Sequence, residues 1–224
     1  RITEDDLKSA GKSTSVKSGK TQIVPISGLR KTIAKKLTQA NTIQVPVTNF
    51  YDCDCTKLWD LRNKEKIKAE KKGIKLTFMP YIIKAVLNAM KSYPVLNSSI
   101  EDDNLVIKKF YNIGFAVATN DGLIVPNIKD ADKKSLYDLA KEIVELANKA
   151  RARTLNLDEI KNSTFSITNL GSIGVKYFTP MLNYPEAAIL GLGKIEERAV
   201  VIKSKIVIKR ILPLSLTYDH RSVD

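Results

Sequence analysis

Between Thr77 and Ser92 the chain is apolar almost all round a helix, through Phe78, Met79, Ile82, Ile83, Val86, Leu87 and Met90. Pro80 falls in the first turn, where a missing N–H is tolerated. A helix with so little polar face must be buried, so the rest of the chain has to supply layers that cover it. The sequence offers both helices and strands for this. Leu29, Ile33 and Leu37 recur at four-residue spacing, with Arg30, Lys31, Lys35 and Lys36 between them, which predicts an amphipathic helix. Val45 to Cys55 is β-branched and aromatic and reads as a strand. Thr56 is a candidate cap for a helix carrying Leu58, Trp59, Leu61 and Ile67, which Gly73 would end. Leu105–Lys108 and Tyr111–Thr119 are expected to pair as strands. Asn120-Asp121-Gly122 reads as a turn before a strand over Leu123–Ile128. Ser135–Ala152 is the clearest helix, with Leu136, Leu139, Ile143 and Leu146 on one face. The last third reads as strands at Thr164–Thr168, Ala187–Leu192, Val200–Lys209 around a turn near Ser204, and Ile211–Tyr218, with a tight loop at Gly171 and Gly174. Helices mixed with sheet in this order predict an α/β domain.

Length and charge set the outer bounds. A chain of 224 residues with 43% hydrophobic residues can bury a sizeable core. No apolar run reaches the ~20 residues needed to span a bilayer, and Arg1–Lys20 has no apolar signal-peptide core. A soluble, intracellular protein is expected, with no membrane partner. The net charge is +13, yet the seven basic residues of Gly11–Ala40 and the lysine-rich run Arg62–Lys75 lack interleaved stacking aromatics. A solvated linker and a solvated helix face are therefore preferred over a nucleic-acid surface. Cys53 and Cys55, one residue apart, lie on one face of a strand. Reduced thiols are expected there, not a disulfide or a metal site.

The chemistry points to the end of the chain. Its only histidine, His220, follows an apolar strand and has Asp219 and Arg221 beside it and Asp224 four residues on. A His-x-x-x-Asp spacing alone is weak. Imidazole titrates near pH ~6.5 and a thiol near ~8.5, so a histidine can take a thiol proton at neutral pH with little mismatch. The thiolate is the reactive nucleophile. Its attack on a thioester would create an oxyanion that needs a hydrogen-bond donor. Thr168-Asn169-Leu170-Gly171-Ser172-Ile173-Gly174 offers hydroxyl and backbone donors at a strand end, although a plain glycine turn reads equally well. The stretch lacks the Gly-Lys-Ser/Thr ending of a phosphate loop, and no Gly-x-Ser-x-Gly elbow occurs in the chain.

Seven stretches, taken in order, resemble one family. They are Gly28-Leu-Arg-Lys31, Leu76-Thr-Phe-Met-Pro80, Tyr93-Pro-Val-Leu-Asn-Ser-Ser99, Gly122-Leu-Ile-Val-Pro126, Phe165-Ser-Ile-Thr-Asn-Leu-Gly-Ser-Ile-Gly174, Phe178-Thr-Pro-Met-Leu-Asn-Tyr-Pro-Glu-Ala-Ala-Ile-Leu-Gly191 and Leu216-Thr-Tyr-Asp-His-Arg-Ser-Val-Asp224. Together they resemble the catalytic core of the dihydrolipoyl acyltransferases of 2-oxo acid dehydrogenase complexes, from about Val24 to Asp224. The resemblance implies a fold similar to chloramphenicol acetyltransferase, a mixed sheet with flanking helices. It also implies a homotrimer with active sites between subunits, built up further into a cubic or dodecahedral core. The implied reaction passes an acyl group from dihydrolipoyl-lysine to coenzyme A. Acetyl is favoured on overall similarity, with succinyl or branched-chain groups, or a purely scaffolding role, as alternatives. By position, His220 matches the base on the coenzyme A thiol. Thr168 matches the donor to the oxyanion, acting across the interface from a neighbour's histidine, and Asp224 matches a supporting residue. Arg62 and Thr77 match coenzyme A contacts, and Asn169 and Gly193 weaker ones.

Residues 1–10 resemble the end of a peripheral subunit-binding domain, the region through which decarboxylase and dihydrolipoyl dehydrogenase partners would bind. Residues 11–22 read as a flexible linker, and 23–224 as the catalytic domain. Relatives continue past the final aspartate with a glycine and a terminal helix. No lipoyl-attachment motif is seen, so the lipoyl group would come from another domain. Ala118 and Val175 stand where many relatives carry aspartate and glycine. The implied compartment is the bacterial cytoplasm, with the mitochondrial matrix second.

Overall fold

The computed structural model describes residues 22, 24–26, 28–120 and 122–224, with only the backbone of Leu29. The expected domain remnant at 1–10 and nearly all of the linker at 11–22 lie outside the described residues, as does the Leu29 side chain. A helix α1 (Gly28–Ile43) leads into strand β1 (Pro46–Asp54), helix α2 (Thr56–Glu70) and helix α3 (Met79–Ser92). Short strands follow: β2 (Ser98–Glu101), β3 (Asn104–Ile107), β4 (Ile113–Phe115), β5 (Val117–Thr119), β6 (Gly122–Ile124) and β7 (Asn127–Ile128). Helix α4 (Leu136–Ala152) precedes the remaining strands, β8 (Phe165–Asn169), β9 (Ala188–Leu192), β10 (Glu196–Ile202) and β11 (Lys205–Asp219).

The main sheet runs β1-β11-β9-β8-β4-β7, with β10 also on β11. β8 is parallel to both β4 and β9, and the other pairs are antiparallel, so the sheet is mixed as expected. The parallel step from β4 to β8 needs a crossover, and α4 lies in it. The apolar helix α3 is buried as its composition requires. Ile83 and Met90 are fully enclosed, packed in one core cluster with Ile113, Ile128, Leu139, Ile167 and Leu192. Sealing each such side chain from water is worth ~1.5–3 kcal/mol.

Three local expectations change. Leu105–Lys108 and Tyr111–Thr119 do not pair. β3 pairs with β2 in a separate two-stranded sheet, β4 joins the main sheet, and β5 pairs with β6, with Thr119 opposite Gly122. The expected strand Leu123–Ile128 is likewise split, because Ile124 belongs to the β5–β6 hairpin and Asn127 to the main sheet. Thr56 is not the cap of α2. It is the first residue of the helix, Cys55 holds the cap position without a side-chain cap bond, and Asp54 before it accepts from the Thr56 N–H at 3.0 Å and its hydroxyl at 2.6 Å. These bonds hold the Asp54 carboxyl down to about 2. Ser135 does cap α4, in a reciprocal box with Asp138.

β11 is the spine of the fold. Its C-terminal half lies between β1 and β9, while its N-terminal half pairs only with β10. That hairpin turns at Lys203 and Ser204, both at positive φ as a two-residue turn demands. It leaves Ile206 and Ile208 77% and 73% exposed.

Candidate functional site

The C-terminal end of β11 carries the histidine, and its backbone is held from two sides. The Asp219 N–H donates to the Ala187 carbonyl and the His220 N–H to the Val45 carbonyl, each at 2.8 Å. Asp219 itself is 2% exposed. Its carboxylate accepts from the Val45 N–H at 3.2 Å and from Arg221 Nε and Nη2 at 3.0 and 2.6 Å. Burial alone would raise the Asp219 pKa, but the Arg221 and backbone hydrogen bonds outweigh it and hold the carboxyl below its usual range. Asp219 flanks the histidine in sequence, yet its anchoring role was not legible there. The signal was the Arg two residues on, which makes a compact pair possible.

The His220 side chain is different. It is 46% exposed, with Nδ1 at 3.5 Å from Asp224 Oδ1. The Tyr218 ring meets it edge to face at 5.8 Å between centroids. Asp224 is fully exposed, so its contact with the imidazole is a loose one. With Nδ1 toward a carboxylate, Nε2 is left as the nitrogen able to accept a proton.

Behind this strand end lies a second buried carboxylate. Glu186 is fully enclosed, bonded to the Ser163 hydroxyl and to Asn183 Nδ2 at 2.6 Å, with Oε2 left without a partner. Burial pushes its pKa up to about 7 against the hydrogen bonds of Ser163, Ser166 and Asn183. Its carbonyl accepts from Gln44 Nε2 at 2.9 Å, one residue before Val45. Glu186 was legible only as part of a family stretch, because burial of a lone carboxylate leaves no local pattern.

Thr168 and Asn169 close β8, at another part of the sheet. Thr168 is half-buried and paired with Gly191. Asn169 Oδ1 accepts from the Gly171 N–H at 2.9 Å, an Asx turn that starts the glycine loop. Gly174 sits at φ 88°, the left-handed region, and ends that loop. Val175 needs no such freedom: its N–H bonds the Leu170 carbonyl and its carbonyl accepts from Lys194, so valine is accommodated there. Gly193, expected as a ligand contact, has its N–H committed to the Pro213 carbonyl at 2.8 Å. A Cβ on Gly193 would run into the Lys176 carbonyl, and one on Gly171 into the Gly193 carbonyl. The two glycines therefore let the loop seat against β9 and its exit.

Thr168 and His220 do not meet within the chain. Thr168 is level with Gly191, and Gly191 with Ser215. His220 lies five residues beyond Ser215 (215 to 220), at ~3.3 Å each along the strand, and two strand spacings of ~4.8 Å across. That places the two residues roughly 15–20 Å apart.

Arg62 and Thr77, by contrast, are brought together. Arg62 on α2 donates through Nε to the Leu76 carbonyl at 3.1 Å, and its guanidinium lies 5.2 Å from the centre of the Phe78 ring. The Thr77 hydroxyl accepts from the Met79 N–H at 3.3 Å and so helps to start α3. The cysteines offer no rival nucleophile. Burial, with Asp54 adding to it, raises the Cys53 thiol, and burial pushes Cys55 up to about 11. Among the described residues no cluster of three metal-ligating side chains occurs.

This geometry sits in a chain with known likenesses. Residues 18–224 match the family described as 2-oxoacid dehydrogenases acyltransferase (catalytic domain). The dihydrolipoyllysine-residue acetyltransferase component of the pyruvate dehydrogenase complex of Acholeplasma laidlawii is 46% identical over 209 residues, covering 92% of this chain and 38% of that protein. The chain thus spans less than half the length of the curated relatives it matches. Dihydrolipoamide acetyltransferase of Azotobacter vinelandii superposes with a TM-score of 0.90 at 42% identity, covering 93% of this chain and 87% of that one. The crystallographic and enzymatic study of that protein concerns a serine, a histidine and an asparagine in its catalytic mechanism, spaced as Thr168, His220 and Asp224 are here. The cubic core of a pyruvate dehydrogenase multienzyme complex also superposes at 0.90, with 41% identity over 93% of this chain and 87% of that one.

Proposed function

Because this chain belongs to the catalytic-domain family of the 2-oxoacid dehydrogenase acyltransferases, we propose that it transfers an acyl group, acetyl by preference, from a dihydrolipoyl group to the thiol of coenzyme A. One observation carries the reading. His220 is fixed by its backbone at a rigid strand end while its ring stays open, at the spacing from Thr168 found for the residues studied in the Azotobacter enzyme.

In the reaction, His220 Nε2 takes the coenzyme A thiol proton. The thiolate attacks the acyl-thioester carbonyl, and the Thr168 hydroxyl of a second copy donates to the oxyanion. Collapse expels the dihydrolipoyl thiolate, which recovers the proton from the imidazolium. Asp224 favours the tautomer that leaves Nε2 free. Arg62 and Thr77 hold coenzyme A, Arg62 through a phosphate. Asn169 shapes the loop behind Thr168, and Gly193 lets that loop close. A homotrimer, and a larger cubic core built from it, suits a site whose halves lie apart in one chain and a hairpin with exposed Ile206 and Ile208. The lipoyl group arrives on a separate domain, and decarboxylase and dihydrolipoyl dehydrogenase partners bind through the region before residue 23. The bacterial cytoplasm is the proposed compartment, in keeping with bacterial relatives.

The test is an acyl-transfer assay with a panel of acyl-dihydrolipoamides and coenzyme A. Acetyl transfer fastest of the panel, and lost in His220→Ala, is the expected result. Full activity in His220→Ala would rule the mechanism out.

A further inference from the structure

The surroundings of Arg62 contain more order than a coenzyme A contact by itself requires. Its guanidinium lies over one face of Phe78 at 5.2 Å. Phe78 stacks on Trp59, with ring centres 5.1 Å apart and planes 26° from parallel. Arg210 lies over Trp59 at 4.3 Å. Cation, ring, ring and cation thus follow one another from α2 to β11. The far end is anchored, since Arg210 Nη2 is 2.8 Å from Glu197 Oε1 and the Arg210 N–H donates to the Thr56 hydroxyl at 3.0 Å. At the near end Arg62 is also held by Leu76 through Nε and by Asn63 Oδ1 through Nη1, each at 3.1 Å.

Those holds are all neutral. Arg198, Arg210 and Arg221 each face a carboxylate, whereas no ion pair of Arg62 occurs among the described residues. The nearby acids are engaged elsewhere, Glu65 with Lys68 and Glu70 with Lys66. Nη2 is the part of the fork that no hold occupies. A guanidinium fixed on three sides, with its charge unmatched and one edge left over, is prepared for an anion.

We infer that Phe78, Trp59 and Arg210 form a positioning ladder that presents Arg62 to a phosphate of coenzyme A. The inference rests on the proposed reaction and adds to it residues that touch no substrate. Without the ladder Arg62 keeps its charge but must be ordered when coenzyme A binds, so the loss falls on coenzyme A affinity and not on the chemical step.

Trp59 is the only tryptophan of the sequence, so its fluorescence reads the ladder directly. The experiment uses the full chain and measures kcat, KM for coenzyme A and KM for acetyl-dihydrolipoamide, alongside titration of Trp59 emission with coenzyme A. Phe78→Leu is expected to raise KM for coenzyme A about ten-fold, with kcat within about two-fold and the donor KM unchanged. Phe78→Tyr, which keeps the ring, should restore the wild-type value. Asn63→Ala, which removes an exposed hold and leaves the core intact, should raise it about three-fold. Coenzyme A should shift Trp59 emission in the wild type, with a proportionally higher midpoint in Phe78→Leu. A wild-type coenzyme A KM in both Phe78→Leu and Asn63→Ala overturns the ladder alone. A wild-type protein that binds no coenzyme A overturns the functional reading, and the ladder with it.

Discussion

The two ends of the sheet that carry the candidate catalytic residues are built in opposite ways. At the His220 end the polar groups are buried and bonded. Asp219 is clamped by Arg221 and Val45, and Glu186 is sealed behind Gln44. At the Thr168 end shape does the positioning: an Asx turn at Asn169 and two glycines so close that neither admits a Cβ. Both devices fix backbone and leave one functional side chain partly open. On the proposed reaction, neither end is a finished site. Each would present half of one, and Thr168 and His220 lie roughly 15–20 Å apart in a single chain.

The largest effects should come from the open side chains themselves. His220→Ala should lower kcat by ~10²–10⁴-fold, and Thr168→Ala by ~10²–10³-fold, with unchanged circular dichroism. Comparable losses from residues so far apart would tie both ends to one reaction, and a loss at only one would separate them. The clamp should answer in stability instead. Asp219→Ala should cost ~3 kcal/mol in urea unfolding, because it leaves Arg221 and the Val45 N–H without their partner.

Glu186 should make the His220 end pH-dependent. Its folded pKa of about 7 lies above the ordinary 4.5, so the native state holds the extra proton between those values. The stability linked to it is complete below ~4.5 and is lost as pH rises through ~7, by about 3 kcal/mol. Glu186→Gln should flatten that fall when melting temperature is followed from pH 5 to 8. An unchanged slope would show that another group is responsible. Asp224→Asn should be the smallest change, within about three-fold in kcat, since the carboxylate is exposed and loosely placed at 3.5 Å.

The sequence revealed these regions unevenly. Helices α3 and α4 are plain, because an all-round apolar run and an apolar face at helical spacing are local patterns, whereas the Ser135–Asp138 box comes only from the structure. The split between β4 and β5 is not plain. Phe115 and Val117 read as one alternating strand, and only the partners, β8 for one and β6 for the other, divide them. In the candidate site, His220 and Thr168 are proposed from motifs. Asp219, Glu186 and the Trp59–Phe78 stack are not, because each depends on a partner far along the chain: Val45 for Asp219, Ser163 for Glu186, and Arg210 for Trp59. At Gly193 a motif records that a glycine is needed without recording why. The Lys176 carbonyl beside it supplies a packing reason.

On the proposed reaction, two half-sites on different copies make one catalyst. Mixing His220→Ala and Thr168→Ala chains, unfolded together and refolded in equal amounts, separates one shared site from two independent ones. If the site spans two subunits, random reassembly leaves roughly a quarter of the sites with both residues intact, and activity should return to about that fraction of wild type. Activity that stays at the level of the two separate variants would mean that Thr168 and His220 do not share a site across subunits.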